Sequence, residues 1–344
     1  VTAQRRPRRK TSAAKPRKAA RGRALPMLVG LVLLAMLGVM GWLYAGPGPA
    51  SRAGVTTVML EKGAGTAKIA DQLAQAGVIR SKPVFMLAAK LGGGTLKAGE
   101  YDIVSRASLA RILGDLRAGR VVRHAVTIPE GWTSEMAAEA VTRALELTGD
   151  AVAPPEGSIL PETYEVRRGE SRAAVLDRMR EAQVKLVGEL WPKRQAGLPF
   201  STPEQALTLA SIVEKETALP EERPRIAAVY INRLRQGMRL ESDPTTIYGI
   251  SGGRPLGRGI TRSELLEATP YNTYQVAGLP PTPIANPGKA AIEAVLNPPK
   301  TNELFFVADG SGGHAFAASF AEHQKNVARW RAIEKLRAAQ GGNS

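Results

Sequence analysis

The sequence predicts an α+β protein: a single N-terminal transmembrane helix, a small βααβ module, then a larger α+β domain. Three observations predict this architecture. A basic run leads into an uncharged apolar segment long enough to cross a bilayer. Beyond it, short β-branched stretches and amphipathic stretches are bounded by glycine and proline, with no internal repeat. Roughly 300 residues follow the apolar segment, more than one typical domain, and Pro154-Pro-Glu-Gly157 reads as a linker between two of them.

Residues 1–24 carry ten Lys or Arg and no acid, and they are too poor in apolar residues to bury a core; a disordered tail is expected. Residues 25–45 form the apolar segment, with Trp42 and Tyr44 placed for an aromatic belt at the far interface. The positive-inside rule keeps the tail in the cytoplasm and sends everything after about residue 46 across the membrane. A cleavable signal peptide is the competing reading, with Ala45 and Ala50 nearby, but its apolar core would be only about 7–15 residues long. Most of the net charge of +16 belongs to the tail, so the basic balance reflects topology and not a nucleic-acid partner. The absence of cysteine excludes disulfides and thiolate metal sites.

In the first exported part (51–153), residues 55–60 read as a strand. Residues 66–76 read as a helix with Ile69, Leu73 and Ala76 on one face and Gly77 as its stop. A second short helix opens at Ser81-Lys-Pro83 and ends in Gly92-Gly-Gly94; a strand returns over 96–104. A helix over 108–117, a strand over 121–128 and a helix over 133–147 extend the module. In the second part (158–340), a helix starting at Pro224 is stopped by Gly237. Residues 238–287 are then dense in proline and glycine and read as irregular, often the mark of a binding loop. A short helix over 289–296, a strand over 304–308, a glycine turn into His314-Ala-Phe316, and an amphipathic helix over about 319–338 close the domain.

The helix preceding that irregular stretch carries the strongest chemical signal. Thr202 before Pro203, with Gln205 three residues on, makes a capping box. At 100° per residue, Leu209, Ile212 and Val213 share an apolar stripe that Glu216 continues, while Glu214 and Lys215 turn toward solvent or the flanks. A carboxylate on an apolar face resists ionisation, as a general acid near neutral pH requires. The alternative is a half-exposed last-turn glutamate paired with an arginine, and both readings stay open at this level. Arg225, Arg233 and Arg239 read as solvated charges. His314 and His323 lack neighbours for a zinc site, no Gly-x-Ser-x-Gly elbow is present, and no cofactor or metal is expected.

A set of ordered motifs points further: Ala210-Ser-Ile-Val-Glu-Lys-Glu-Thr217, Val229-Tyr-Ile-Asn-Arg-Leu234, Gly237-Met-Arg-Leu240, Ser242-Asp-Pro-Thr245 and Tyr248-Gly249. Pro270-Tyr-Asn-Thr-Tyr274, Gly278-Leu-Pro-Pro281, Pro283-Ile284, Asn286-Pro-Gly288, Phe306-Val-Ala-Asp309 and Gly313-His-Ala-Phe316 complete it. From the anchor to near the C-terminus the chain resembles the MltG (YceG-like) endolytic murein transglycosylase family. The resemblance implies a LysM-like first module and a YceG-like catalytic domain that cuts MurNAc–GlcNAc β-1,4 bonds within peptidoglycan, leaving 1,6-anhydro ends. It maps the catalytic role onto Glu216, the residue chosen independently by helical spacing. Glycan strands, the cell membrane and peptidoglycan synthases are the implied partners; a non-catalytic peptidoglycan-binding scaffold is the alternative. Asp243, Tyr271, Asn272 and Tyr274 are candidates for a sugar groove, although Asp243 before Pro244 is equally a turn residue and the tyrosines equally core. One departure is Glu162, in Gly157-Ser-Ile-Leu-Pro-Glu-Thr-Tyr164, where the family carries aspartate.

Overall fold

The computed structural model describes residues 21–50 and 54–341. The basic tail lies outside the described residues up to residue 20, so its expected disorder does too. The chain forms two compact units that meet in sequence between Val122 and Arg123.

The first unit begins with α1 (Arg21–Ala45), whose stretch Leu25–Ala45 is 21 residues long and apolar enough to cross a membrane. Leu28, Leu31, Leu34 and Leu37 are uncovered by protein, as a lipid-facing helix requires. The expected βααβ order follows as β1 (Val55–Leu60), α2 (Thr66–Gln75), α3 (Lys82–Gly92) and β2 (Gly99–Val104). β1 and β2 pair antiparallel from Val55↔Val104 to Leu60↔Gly99. Alternation along β1 sends Val58 and Leu60 inward against Ile69, Leu73, Phe85 and Tyr101. α4 (Leu109–Ala118), capped by Ser108 and stopped by Gly119 in the left-handed region, closes this core with Ile112, Leu113 and Leu116.

The second unit opens with β3 (His124–Thr127), α5 (Ser134–Arg143), β4 (Thr163–Val166) and α6 (Arg172–Leu190). Here the structure corrects the expected organisation. The helix and strand read as extensions of the first module belong to the second unit, because β3 pairs antiparallel with β4 from His124↔Val166 to Thr127↔Thr163. Pro154-Pro-Glu-Gly157 therefore crosses over within one unit. Gly157, at φ +75°, takes a left-handed turn against Pro283, whose ring would meet any Cβ there. Val126, Val141, Ile159, Val175 and Met179 fill the core between these elements.

Next come α7 (Pro203–Glu216), α8 (Arg223–Arg235), α9 (Asp243–Ser251), α10 (Arg262–Leu266) and α11 (Lys289–Leu296). α7, α8 and α11 pack around Leu209, Ile212, Val213, Ile226, Ile292 and Val295. The stretch read as irregular contains two helices with recognisable starts: Asp243-Pro244 opens α9, and Thr261 with Glu264 forms a capping box for α10. A hairpin of β5 (Phe305–Ala308) and β6 (His314–Ala317) runs antiparallel from Phe305↔Ala317 to Ala308↔His314; α12 (Phe320–Gly341) follows.

Candidate active site

Helix α7 is built as its sequence requires. Thr202 Oγ1 accepts from the Gln205 N–H and the Gln205 side chain accepts from the Thr202 N–H, completing the capping box. Leu209, Ile212 and Val213 are fully buried. Glu216 is the last helical residue, and Thr217 leaves the helix in an extended conformation. The stripe thus runs out of core at Glu216, whose side chain opens on a cavity of about 440 Å³. Tyr230, Arg233, Asp243, Tyr274 and His314 share its wall.

Glu216 Oε1 accepts two hydrogen bonds, from Tyr230 Oη at 2.5 Å and from Ser242 Oγ at 2.5 Å. Among the described residues it has no ion pair, so the arginine pairing of the alternative reading is not formed. Burial raises its pKa above the ordinary glutamate value; the hydroxyls of Ser242 and Tyr230 pull it down, the nearby charge of Asp243 pushes it up, and the net direction is upward. Tyr230 is held protonated far above the usual tyrosine range, by burial and then by the charge of Glu216, so it remains a donor.

The other candidates separate. Asp243 starts α9 and its Oδ1 accepts from Tyr274 Oη at 2.7 Å, which brings both residues to the cavity of Glu216. Burial and then Asp243 raise the Tyr274 pKa, keeping that hydroxyl a donor as well. Tyr271 lies outside the cavity wall, its ring against Tyr248 at 4.9 Å and its hydroxyl 2.8 Å from Thr282 Oγ1. Asn272 is buried, its amide donating to the carbonyls of Glu264, Leu265 and Glu267, and its Oδ1 accepts from the Tyr274 N–H at 3.1 Å. Asn272 thereby shapes the loop that delivers Tyr274. Glu162 is exposed and not among the residues lining the cavity; its carbonyl accepts from the Ile128 N–H and its charge acts on Tyr164.

Several neighbours of Glu216 at the cavity were not foreseen. In the sequence, Tyr230 and Ser242 stand only within motifs, without a role of their own. His314, weighed only as a metal ligand, lines the cavity with its Nδ1 2.7 Å from Glu222 Oε2. Two expectations are corrected. Arg233 is buried, not solvated: it donates to the carbonyls of Leu304 at 2.6 Å and Leu240 at 2.8 Å, tying α8 to β5 and to the chain before α9. Glu214 does not face solvent either; its Oε1 pairs with Arg223 at 2.7 Å and its Oε2 accepts the Gly288 N–H at 3.0 Å. Among the described residues no group of three or more His, Cys, Asp or Glu is placed to hold a metal ion.

Fold and cavity together define an α+β domain with a carboxyl group on its cavity, held by two hydroxyls and pushed toward its protonated form by burial. The chain belongs to the YceG-like family, whose profile matches residues 58–329. It is 30% identical over 361 aligned positions to an endolytic murein transglycosylase of Streptococcus pneumoniae, covering 88% of this chain and 64% of the relative. It is 34% identical over 172 positions to the endolytic murein transglycosylase of Bacillus subtilis, covering 50% of this chain and 47% of the relative. The chain thus spans less than two thirds of the length of these relatives. The crystal structure of a YceG-like protein from Listeria monocytogenes is similar at a TM-score of 0.50 and 27% identity, over 80% of this chain and 99% of that one.

Proposed function

We propose that this chain is a membrane-anchored endolytic murein transglycosylase, with Glu216 as its single acid–base group. The observation that carries the reading is the Glu216 carboxyl: recessed in a cavity, bound by two hydroxyls and by no cation, with its pKa raised. A carboxyl in that state can hold a proton near neutral pH and deliver it to a glycosidic oxygen. As the bond to C1 breaks, Glu216 becomes the carboxylate, and Tyr230 and Ser242 stabilise the charge by donating to Oε1. The carboxylate then takes the proton of the MurNAc C6 hydroxyl as that oxygen closes on C1, forming the 1,6-anhydro ring. Attack from within the same sugar needs no positioned water, and effective molarity lowers its barrier by several kcal/mol. Ordinary glycosidases need a second carboxylate; here Asp243 is bonded to Tyr274 and serves to shape the groove.

The same proposal gives the first unit a LysM-like, glycan-binding role, on the strength of its βααβ order, and places both units outside the cytoplasm, with α1 in the membrane and peptidoglycan synthases as neighbours. The test is mass spectrometry of peptidoglycan strands digested by the chain in detergent. Anhydro-MurNAc ends are expected; reducing ends would instead indicate a hydrolase. Glu216→Gln keeps the shape and an accepting oxygen but carries no transferable proton. Its activity should fall by about 10²-fold or more. Undiminished cleavage by that variant would remove Glu216 from the chemistry, and no cleavage by the wild type would leave a binding scaffold.

A further inference from the structure

The cavity wall carries a histidine, paired with a glutamate outside the lining, that the mechanism above leaves unused. His314, the first residue of β6, lines the cavity that receives Glu216. Glu222 grips it twice: His314 Nδ1 lies 2.7 Å from Oε2, and the His314 N–H donates to Oε1 at 2.7 Å. The carboxylate comes this close because residue 313 is glycine; a Cβ there would meet Glu222 Oε1 at 2.7 Å. Glu222 also accepts from Thr217 Oγ1 at 3.1 Å, and Thr217 directly follows Glu216, so pair and acid share one rigid frame. The rings of Phe306, at 5.3 Å, and Phe316, at 6.4 Å, stand edge-on to the imidazole and fix its plane.

We propose, on the reading that Glu216 is the acid, that the Glu222–His314 pair tunes it. His314, held on the cavity wall by the Glu222 carboxylate, sets a positive charge there whenever it carries its second proton; that charge offsets the negative field of Asp243 and keeps Glu216 poised between its two proton states. The surroundings make this the available cation. From α8, Arg233 is committed to backbone carbonyls, and Arg225 is bonded to Glu303 with its guanidinium over Phe316. From α12, His323 is stacked on Phe305 and held toward its neutral form by burial and then by Arg233. Asp309, in the turn between β5 and β6, bonds Ser311, and its pKa is lowered by the Ser311 N–H and hydroxyl ahead of the His314 charge. His314 is correspondingly among the groups that pull the Glu216 pKa down against burial and Asp243. An acid that must give a proton to one oxygen and recover one from another works best when neither state is strongly favoured.

The experiment is the pH profile of kcat/KM for the full chain in detergent, acting on soluble uncrosslinked glycan strands, with folding checked by thermal melting. Activity requires protonated Glu216, so it falls along an alkaline limb set by that group. His314→Gln should move the limb upward by about one pH unit. Glu222→Gln, which removes the ion-pair partner and leaves the ring in place, should also displace the limb and carries the test if His314→Gln does not fold. The double variant should move it no further than His314→Gln alone. A folded His314→Gln chain whose limb coincides with that of the wild type overturns the proposal, even if its rate falls uniformly. Glu216→Gln separates the two claims. If it is inactive while the limb of His314→Gln stays put, only the tuning fails; if it is active, the acid assignment fails.

Discussion

Of two glutamates two residues apart in α7, Glu214 is buried and Glu216 half-buried at the cavity, and their partners decide what each does. Glu214 is neutralised by Arg223 and caps the start of α11 through the Gly288 N–H, so its charge is consumed by structure. Glu216 has hydroxyl partners only, so its proton stays available. Glu214→Gln should therefore destabilise the fold by about 2–4 kcal/mol, because Arg223 is left buried with Glu130 as its remaining carboxylate. Glu216→Gln should leave the melting temperature unchanged or raise it, since a buried carboxyl costs desolvation that an amide reduces. Because the folded-state pKa of Glu216 lies above its unfolded value, the folded chain keeps that proton longer. Its contribution to stability is present below the ordinary glutamate value and is lost as pH rises through the raised one. Melting curves of both variants between pH 4 and pH 8 check this; equal losses in the two would mean that the carboxyls share one role.

Helix α7 presents Glu216 because its start is locked as well as its face. The Thr202–Gln205 box fixes the register in which every fourth or third residue reaches the core. Thr202→Ala should cost about 1 kcal/mol, measurable by urea titration, with little change in the pH profile because the cap lies at the opposite end of the helix from the acid. An unchanged midpoint would mean that packing against α8 and α11 sets the helix alone. Local signals also explain what was overlooked. The starts of α9 and α10 carry their own caps, yet the density of proline and glycine between Met238 and Pro287 hid them. α6 buries Val175, Leu176, Met179 and Gln183 on a narrow stripe amid charges, a pattern too weak to stand out along the chain.

Taken whole, the chain joins a helix suited to lipid, a small βααβ unit and a larger unit carrying the cavity. The proposed orientation follows from charge alone: ten basic residues on one side of the apolar segment and no acid among them. A reporter active only outside the cytoplasm should work when fused after Ser344 and stay silent when fused at the N-terminus. The reverse pattern would overturn the orientation. The division between Val122 and Arg123 has a different origin from the membrane helix, since it depends on which strand finds which partner.

Periodicity, capping chemistry and charge runs act within a few residues, so they were legible along the chain: the apolar helix, the βααβ order, the α7 stripe and Glu216 at its end. Pairings over long separations were not. The alliance of β3 with β4 across Pro154, the Arg223 partner of Glu214, and the convergence of Tyr230, Ser242 and His314 on one cavity arise only when distant elements pack. Burial and partner choice, which set the pKa of a carboxyl, are properties of that packing, because the field at Glu216 is a sum over groups from α7, α8, α9 and β6.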